Sequence, residues 1–151
     1  MKLQRSFPNR TASIRDARRF IGDALATRHA AESDAVVLMV SELATNSIRH
    51  AGSDFTVLLT ATAREVRVEV TDNGAGAPAP RRPAPSDLSG RGLLIVDKLA
   101  ERWGVRRQRS GGKTVWFTVA AHRLASGGVG DSTEPRRTAS GNQPSLRYRL
   151  S

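Results

Sequence analysis

Residues 55–76 read FTVLLTATAREVRVEVTDNGAG, and this stretch decides the fold. FTVLLTATA and EVRVEVT both alternate apolar and polar side chains with period two, joined across the short Ala63-Arg64 connection. That pattern predicts two antiparallel strands with one face buried. The second strand runs into an acid, Asp72, and then into glycines. Asp72 at a strand end has its carboxylate fixed by the sheet and is able to accept a hydrogen bond from an exocyclic amine. Gly74 and Gly76 let backbone approach a ligand closely. Read alone, DNGAG reads first as a turn opening a loop and only second as a site.

Upstream, the period changes to the helical one. Ile14, Ala17, Phe20, Ile21, Ala24 and Leu25 predict a helix capped by Thr11 or Ser13 and running to about Thr27. Val36, Val37, Val40, Leu43, Ala44 and Ile48 predict a second helix from about Ser33 to His50, stopped by Gly52. LQRSFP before them reads as a short edge strand. Downstream, residues 73–91 hold glycine, four prolines, serine and aspartate, with almost no apolar content. Such a segment is a long irregular loop, which in a compact domain is a functional lid or disordered. Leu93 to Glu101 returns to helical spacing, and WGVRRQR and KTVWFTVAA around Gly111-Gly112 form a hairpin. The order β-α-α-β-β-lid-α-β-β predicts an α+β fold, a two-layer sandwich whose mostly antiparallel sheet is covered on one face by helices. The domain spans residues 1–121. Residues 122–151 are polar, small and punctuated by proline and glycine, and are expected to be disordered.

Bulk properties set outer bounds. A chain of 151 residues is one ordinary domain. It has no cysteine, so neither a disulfide framework nor thiolate chemistry is available, which fits a cytoplasmic protein. No run of about eighteen apolar residues is present, which argues against a membrane span, and MKLQRSFPNR lacks the apolar core of a secretory signal. The net charge of +10 permits nucleic-acid, acidic-protein or polyphosphate partners. The arginines are scattered and not interleaved with aromatics, so direct nucleic-acid binding is not expected.

Two further stretches carry polar signals. In SELATNSIRHA (41–51), Glu42 and Asn46 are four residues apart and stack on one helix face, roughly opposite Val37, Val40 and Ala44. A carboxylate and a carboxamide held side by side suit an oxygen-loving cation and a nucleophile needing orientation, although a polar pair on a solvated face looks the same. In SGRGLLIVDKLAERWG (89–104), Gly90 and Gly92 precede a helix starting near Leu93, a place where freed backbone amides and the helix dipole favour an anion. Neither a GxxxxGK[ST] loop nor a β-GxGxxG-α unit is present.

Taken together and in this order, the motifs resemble those of the GHKL (Bergerat-fold) ATPases over roughly residues 5–120. SELATNSIRHA resembles the N box, TDNGAG the G1 box, GRGL (90–93) the G2 box, and GGKTVWF (111–117) the final glycine-threonine strand motif. The chain is most similar to small stand-alone actinobacterial ATP-binding regulators of the anti-sigma-factor kinase type, which share the SFP…ARRF opening and the GRGL…WGV…GGKTVWF ending. The resemblance implies that Asn46 coordinates Mg²⁺ on the ATP phosphates and that Glu42 is the general base. It implies that Asp72 takes the adenine amino group, with Thr114 supporting the same end through a hydrogen bond shared with Asp72. Gly74 and Gly76 would shape the base pocket. The amides of Gly90, Arg91, Gly92 and Leu93 would hold phosphates under a lid at about 77–89. Arg91 or Lys113, by charge and position, would serve the γ-phosphate. The implied function is a serine/threonine protein kinase acting on an anti-sigma-factor antagonist and binding a sigma factor. A homodimer is compatible with it, and the alternative is an ATP-sensing partner-binding module without phosphotransfer. One departure stands out: Leu88 and Ser89 occupy the place before the second glycine motif where a basic residue is expected.

Overall fold

The computed structural model describes residues 1–74 and 91–122, with the backbone alone for Arg91 and Gly92. The expected lid, Gly76, Gly90 and residues 123–151 lie outside the described residues. Five strands, β1 (Lys2–Phe7), β2 (Phe55–Ala61), β3 (Glu65–Asp72), β4 (Arg102–Arg107) and β5 (Lys113–Ala120), form one antiparallel sheet in the order β1-β2-β3-β5-β4. The helices are α1 (Ala12–Leu25), α2 (Ala30–Asn46) and α3 (Arg91–Leu99). They make a second layer with α2 in the middle, packed against both α1 and α3. The α+β sandwich expected from the sequence is the observed fold.

Period two places alternate strand residues under the helices. Val66, Val68 and Val70 of β3 and Val57 and Leu59 of β2 are buried, as are Phe117 and Val115 of β5. Phe7 closes β1 onto the core by stacking on Phe55, with ring centroids 5.3 Å apart, and by an edge contact to Phe20. Each large apolar side chain withdrawn from water in this way contributes about 1.5–3 kcal/mol. The opposite face of the sheet is polar and carries ion pairs within β3 and from β4 to β3. Glu69 holds Arg67 and Arg106, Glu65 holds Arg102, and the Arg67 guanidinium lies 4.4 Å from the centre of the Trp116 ring. Part of the scattered arginine excess is thus used on the open face of the sheet.

Three local expectations change. Neither Thr11 nor Ser13 caps α1 through its side chain; the Ser13 hydroxyl donates to the Pro8 carbonyl at 2.7 Å and ties the helix to the end of β1. The second helix starts at Ala30, three residues early, and its regular part ends at Asn46. A π-helical turn, Ser47–Ala51, completes it before Gly52 reverses the chain at φ +59°. The extra residue per turn there changes the direction of the side chains after Asn46. Finally, Arg91 and Gly92 belong to α3 and do not merely precede it.

Candidate functional site

Topology gathers the polar signals at one end of the sandwich. Asp72 closes β3, Lys113 opens β5 opposite it, and Phe55, the first residue of β2, lies on the other side of Asp72. The segment entering Phe55 comes from the C-terminal end of α2, and the Asn73 amide donates to Ser53 Oγ at 3.2 Å. Asn46 therefore ends its helix at the Asp72 end of the sheet. Helix α3 leaves through Ala100 and Glu101 into β4, which starts opposite Thr118, near the far end of β5. Its nine residues span about 13 Å, and it packs against α2 and β4.

Glu42 and Asn46 are half-buried on one side of α2. Neither side chain has a hydrogen-bond or ion-pair partner among the described residues. Their position differs from the sequence expectation. Met39 and Leu43, with Val36, Val40 and Ala44, form the buried stripe, which turns toward the Glu42 side, so the pair flanks the stripe instead of opposing it. A flanking position at the rim of the core is the one from which a helix side chain reaches a cleft between layers.

Asp72 is buried, 4% exposed, and its Oδ2 accepts a 2.8 Å hydrogen bond from Lys113 Nζ. The two are register partners on the helix-facing side of the sheet, continuing the Val70–Val115 and Val68–Phe117 pairs. Thr114, one residue on, points to the other face. There its hydroxyl is 2.8 Å from Thr71 Oγ1 and accepts from Gln108 Nε2 at 3.3 Å. Thr114 therefore does not lie on the same face as Asp72, because neighbouring strand residues face opposite ways. The residue beside the acid is Lys113, whose ammonium donates to it.

Gly74 adopts φ +53° and runs so close to the Gln108–Gly112 turn that a Cβ on it would collide with the Gly111 carbonyl. A Cβ on Gly112 would collide with the Asp72 carbonyl in the same way. The glycines thus have a structural reason that motif reading missed: they let the β4–β5 turn clamp the backbone that carries Asp72. Leu93 is buried at 9% exposure, so it anchors α3 in the core and leaves only its amide for a ligand. The first amides of a helix lack intrahelical acceptors. Among the described residues, no group of three or more His, Cys, Asp or Glu could hold a metal ion. Any cation here would need oxygens from its ligand as well as from Asn46. No described helix is long and apolar enough to cross a membrane.

Residues 7–119 match the model of the histidine kinase-like ATPase domain. The chain belongs to the histidine kinase-like ATPase domain family. It is similar in fold to the crystal structure of the RsbU and RsbW domains of Rv1364c from Mycobacterium tuberculosis, with a TM-score of 0.61 at 18% identity over 78% of this chain. The alignment covers 32% of that chain, so this protein spans about a third of that structure. No curated protein matches it. Membership of this family identifies the domain as an ATP-using one.

Proposed function

We propose that the chain is a Mg·ATP-binding regulator of the anti-sigma-factor type, a serine/threonine protein kinase that phosphorylates an anti-sigma-factor antagonist. The observation that carries the proposal is the buried Asp72 at the end of β3 together with half-buried Glu42 and Asn46, which have no side-chain partner among the described residues, on the flank of α2. The family match supports ATP, and the motif resemblance to small anti-sigma-factor regulators supports the partner class.

In this reading Asp72 accepts from the exocyclic amine of adenine, and the amides of Arg91, Gly92 and Leu93 face the phosphates. The Asn46 carboxamide oxygen fits a hard cation that prefers oxygen ligands. When bound, Mg²⁺ supplies charge neutralisation on the phosphate oxygens. Glu42 then accepts the proton of the attacking serine or threonine hydroxyl, as a carboxylate within hydrogen-bond reach of the nucleophile would. Phosphoryl transfer asks mainly for positioning and charge, which a rigid helix flank provides.

A second reading, an ATP-sensing module that binds partners without phosphotransfer, is favoured by one feature. Leu88 and Ser89 stand where a basic residue is expected just before Gly90, the nearest arginine is Arg91 between the glycines, and Lys113 pairs with Asp72. Two variants separate the readings. Asn46→Ala is expected to abolish Mg²⁺-dependent ATP binding in calorimetry. Glu42→Ala is expected to keep that binding and to lower phosphotransfer to an antagonist protein by about 10²–10⁴-fold. Wild-type protein that binds ATP but transfers no phosphate with any antagonist would establish the sensing module instead.

A further inference from the structure

The strand-end acid is not alone, and its companion changes what the site recognises. A carboxylate only accepts hydrogen bonds, whereas an ammonium carries three donors. Lys113 spends one donor on Asp72 Oδ2 at 2.8 Å and keeps two. Its side chain is 21% exposed and that of Asp72 5%, so the acid is the more deeply buried of the two and the ammonium lies nearer solvent. The pair cannot easily drift apart. The residues face each other in the β3–β5 register, and the backbone beyond Asp72 is clamped against Gly111 and Gly112. The site therefore presents one acceptor and one donor side by side.

That order matches one purine edge. Adenine offers its 6-amino donor next to the N1 acceptor. Guanine, in the same pose, offers the O6 acceptor next to the N1–H donor, which sets acceptor against acceptor and donor against donor. Asp72 without Lys113 would lack this discrimination. Its second oxygen would face the N1 lone pair of adenine, and two adjacent donors, such as N1–H and N2–H of guanine, would suit it better.

We propose that Lys113 is a base-specificity residue: its ammonium donates to N1 of an adenine whose 6-amino group donates to Asp72. The inference rests on the ATP-binding reading above and assigns Lys113 to the base end of the nucleotide, away from the γ-phosphate. The test is calorimetry on the full chain with ATP, AMP, GTP and 1-deaza-ATP, in which a C–H replaces N1. Wild-type protein is expected to bind 1-deaza-ATP about 10- to 100-fold more weakly than ATP, the range for one hydrogen bond to a charged donor. Lys113→Met should weaken ATP by a similar factor, leave 1-deaza-ATP unchanged, and narrow the preference for ATP over GTP. The same penalty should fall on AMP, which has no γ-phosphate. Lys113→Gln, which retains an N–H donor, should restore part of the preference.

Equal binding of ATP and 1-deaza-ATP by the wild type would overturn the proposal. So would a Lys113→Met penalty confined to ATP and absent with AMP, which is the signature of a phosphate contact. Should Lys113→Met fail to fold, as judged by circular dichroism, the wild-type comparison of ATP with 1-deaza-ATP decides alone. If wild-type protein binds none of the nucleotides, the ATP reading itself falls, an outcome distinct from binding without N1 discrimination.

Discussion

At Gly112 a single hydrogen atom in place of a methyl group sets the geometry of the site. A Cβ there would meet the Asp72 carbonyl, a backbone atom that cannot swing aside. Gly112→Ala is expected to lower stability by about 1–3 kcal/mol, the usual cost of forcing atoms into a packed space, read from the urea midpoint. Gly22→Ala, inside α1, is the contrast: its Cβ would sit 3.8 Å from Val37 Cγ2 of α2, an ordinary contact. The expected effect there is neutral to stabilising, up to about 1 kcal/mol from helix propensity. Asp72 was legible as a candidate because strand alternation ends on it. The roles of Lys113 and Thr114 were not separable by motif, since adjacent residues differ only in the face to which the sheet assigns them. The pairing Asp72↔Lys113 settles that assignment.

Helix α2 shows what periodicity does and does not disclose. The stripe of Val36, Val40, Leu43 and Ala44 was visible in the sequence and is buried. Met39 joins it, and that addition rotates the stripe enough to put Glu42 and Asn46 at its flank. Leu43→Ala is expected to cost about 2–5 kcal/mol through lost contacts and a residual cavity. Leu38→Ala, on a side chain 44% exposed, should stay within about 0.5 kcal/mol. Thermal unfolding of the two variants checks the assignment of faces directly. The π-helical turn after Asn46 carried no signal in residue type, because it answers to how the chain must re-enter the sheet at Phe55.

At the scale of the molecule, the start of α2 and the end of the sheet are fastened by a buried acid. Glu32, 4% exposed, accepts a 2.7 Å hydrogen bond from the His122 amide, with the His29 and His122 rings 3.8 and 3.4 Å from its oxygens. Burial acts to raise its pKa, but the His122 hydrogen bonds and the His29 charge outweigh burial and hold the carboxyl below its ordinary value of 4.5. A depressed carboxylate contributes stability that is complete above the unfolded value and is lost as pH falls through the folded one. Glu32→Gln is therefore expected to be less stable than wild type at neutral pH by about 1–2 kcal/mol. The gap should close on acidification below pH 4.5, as measured by denaturant unfolding across that range. Glu32 lies before the helix start expected from the sequence at about Ser33; only the return of the chain ninety residues later explains its burial.

Element order, the helix-covered antiparallel sheet and the family are all readable along the chain, because side-chain periodicity and glycine placement are local properties. Which polar residues share a face follows from packing in three dimensions. Glu42 and Asn46 flank the core, Asp72 turns to Lys113, and Thr114 turns away to Thr71. The physical reason is that strand register and helix rotation are set by packing the whole apolar surface at once, a condition that no single motif contains.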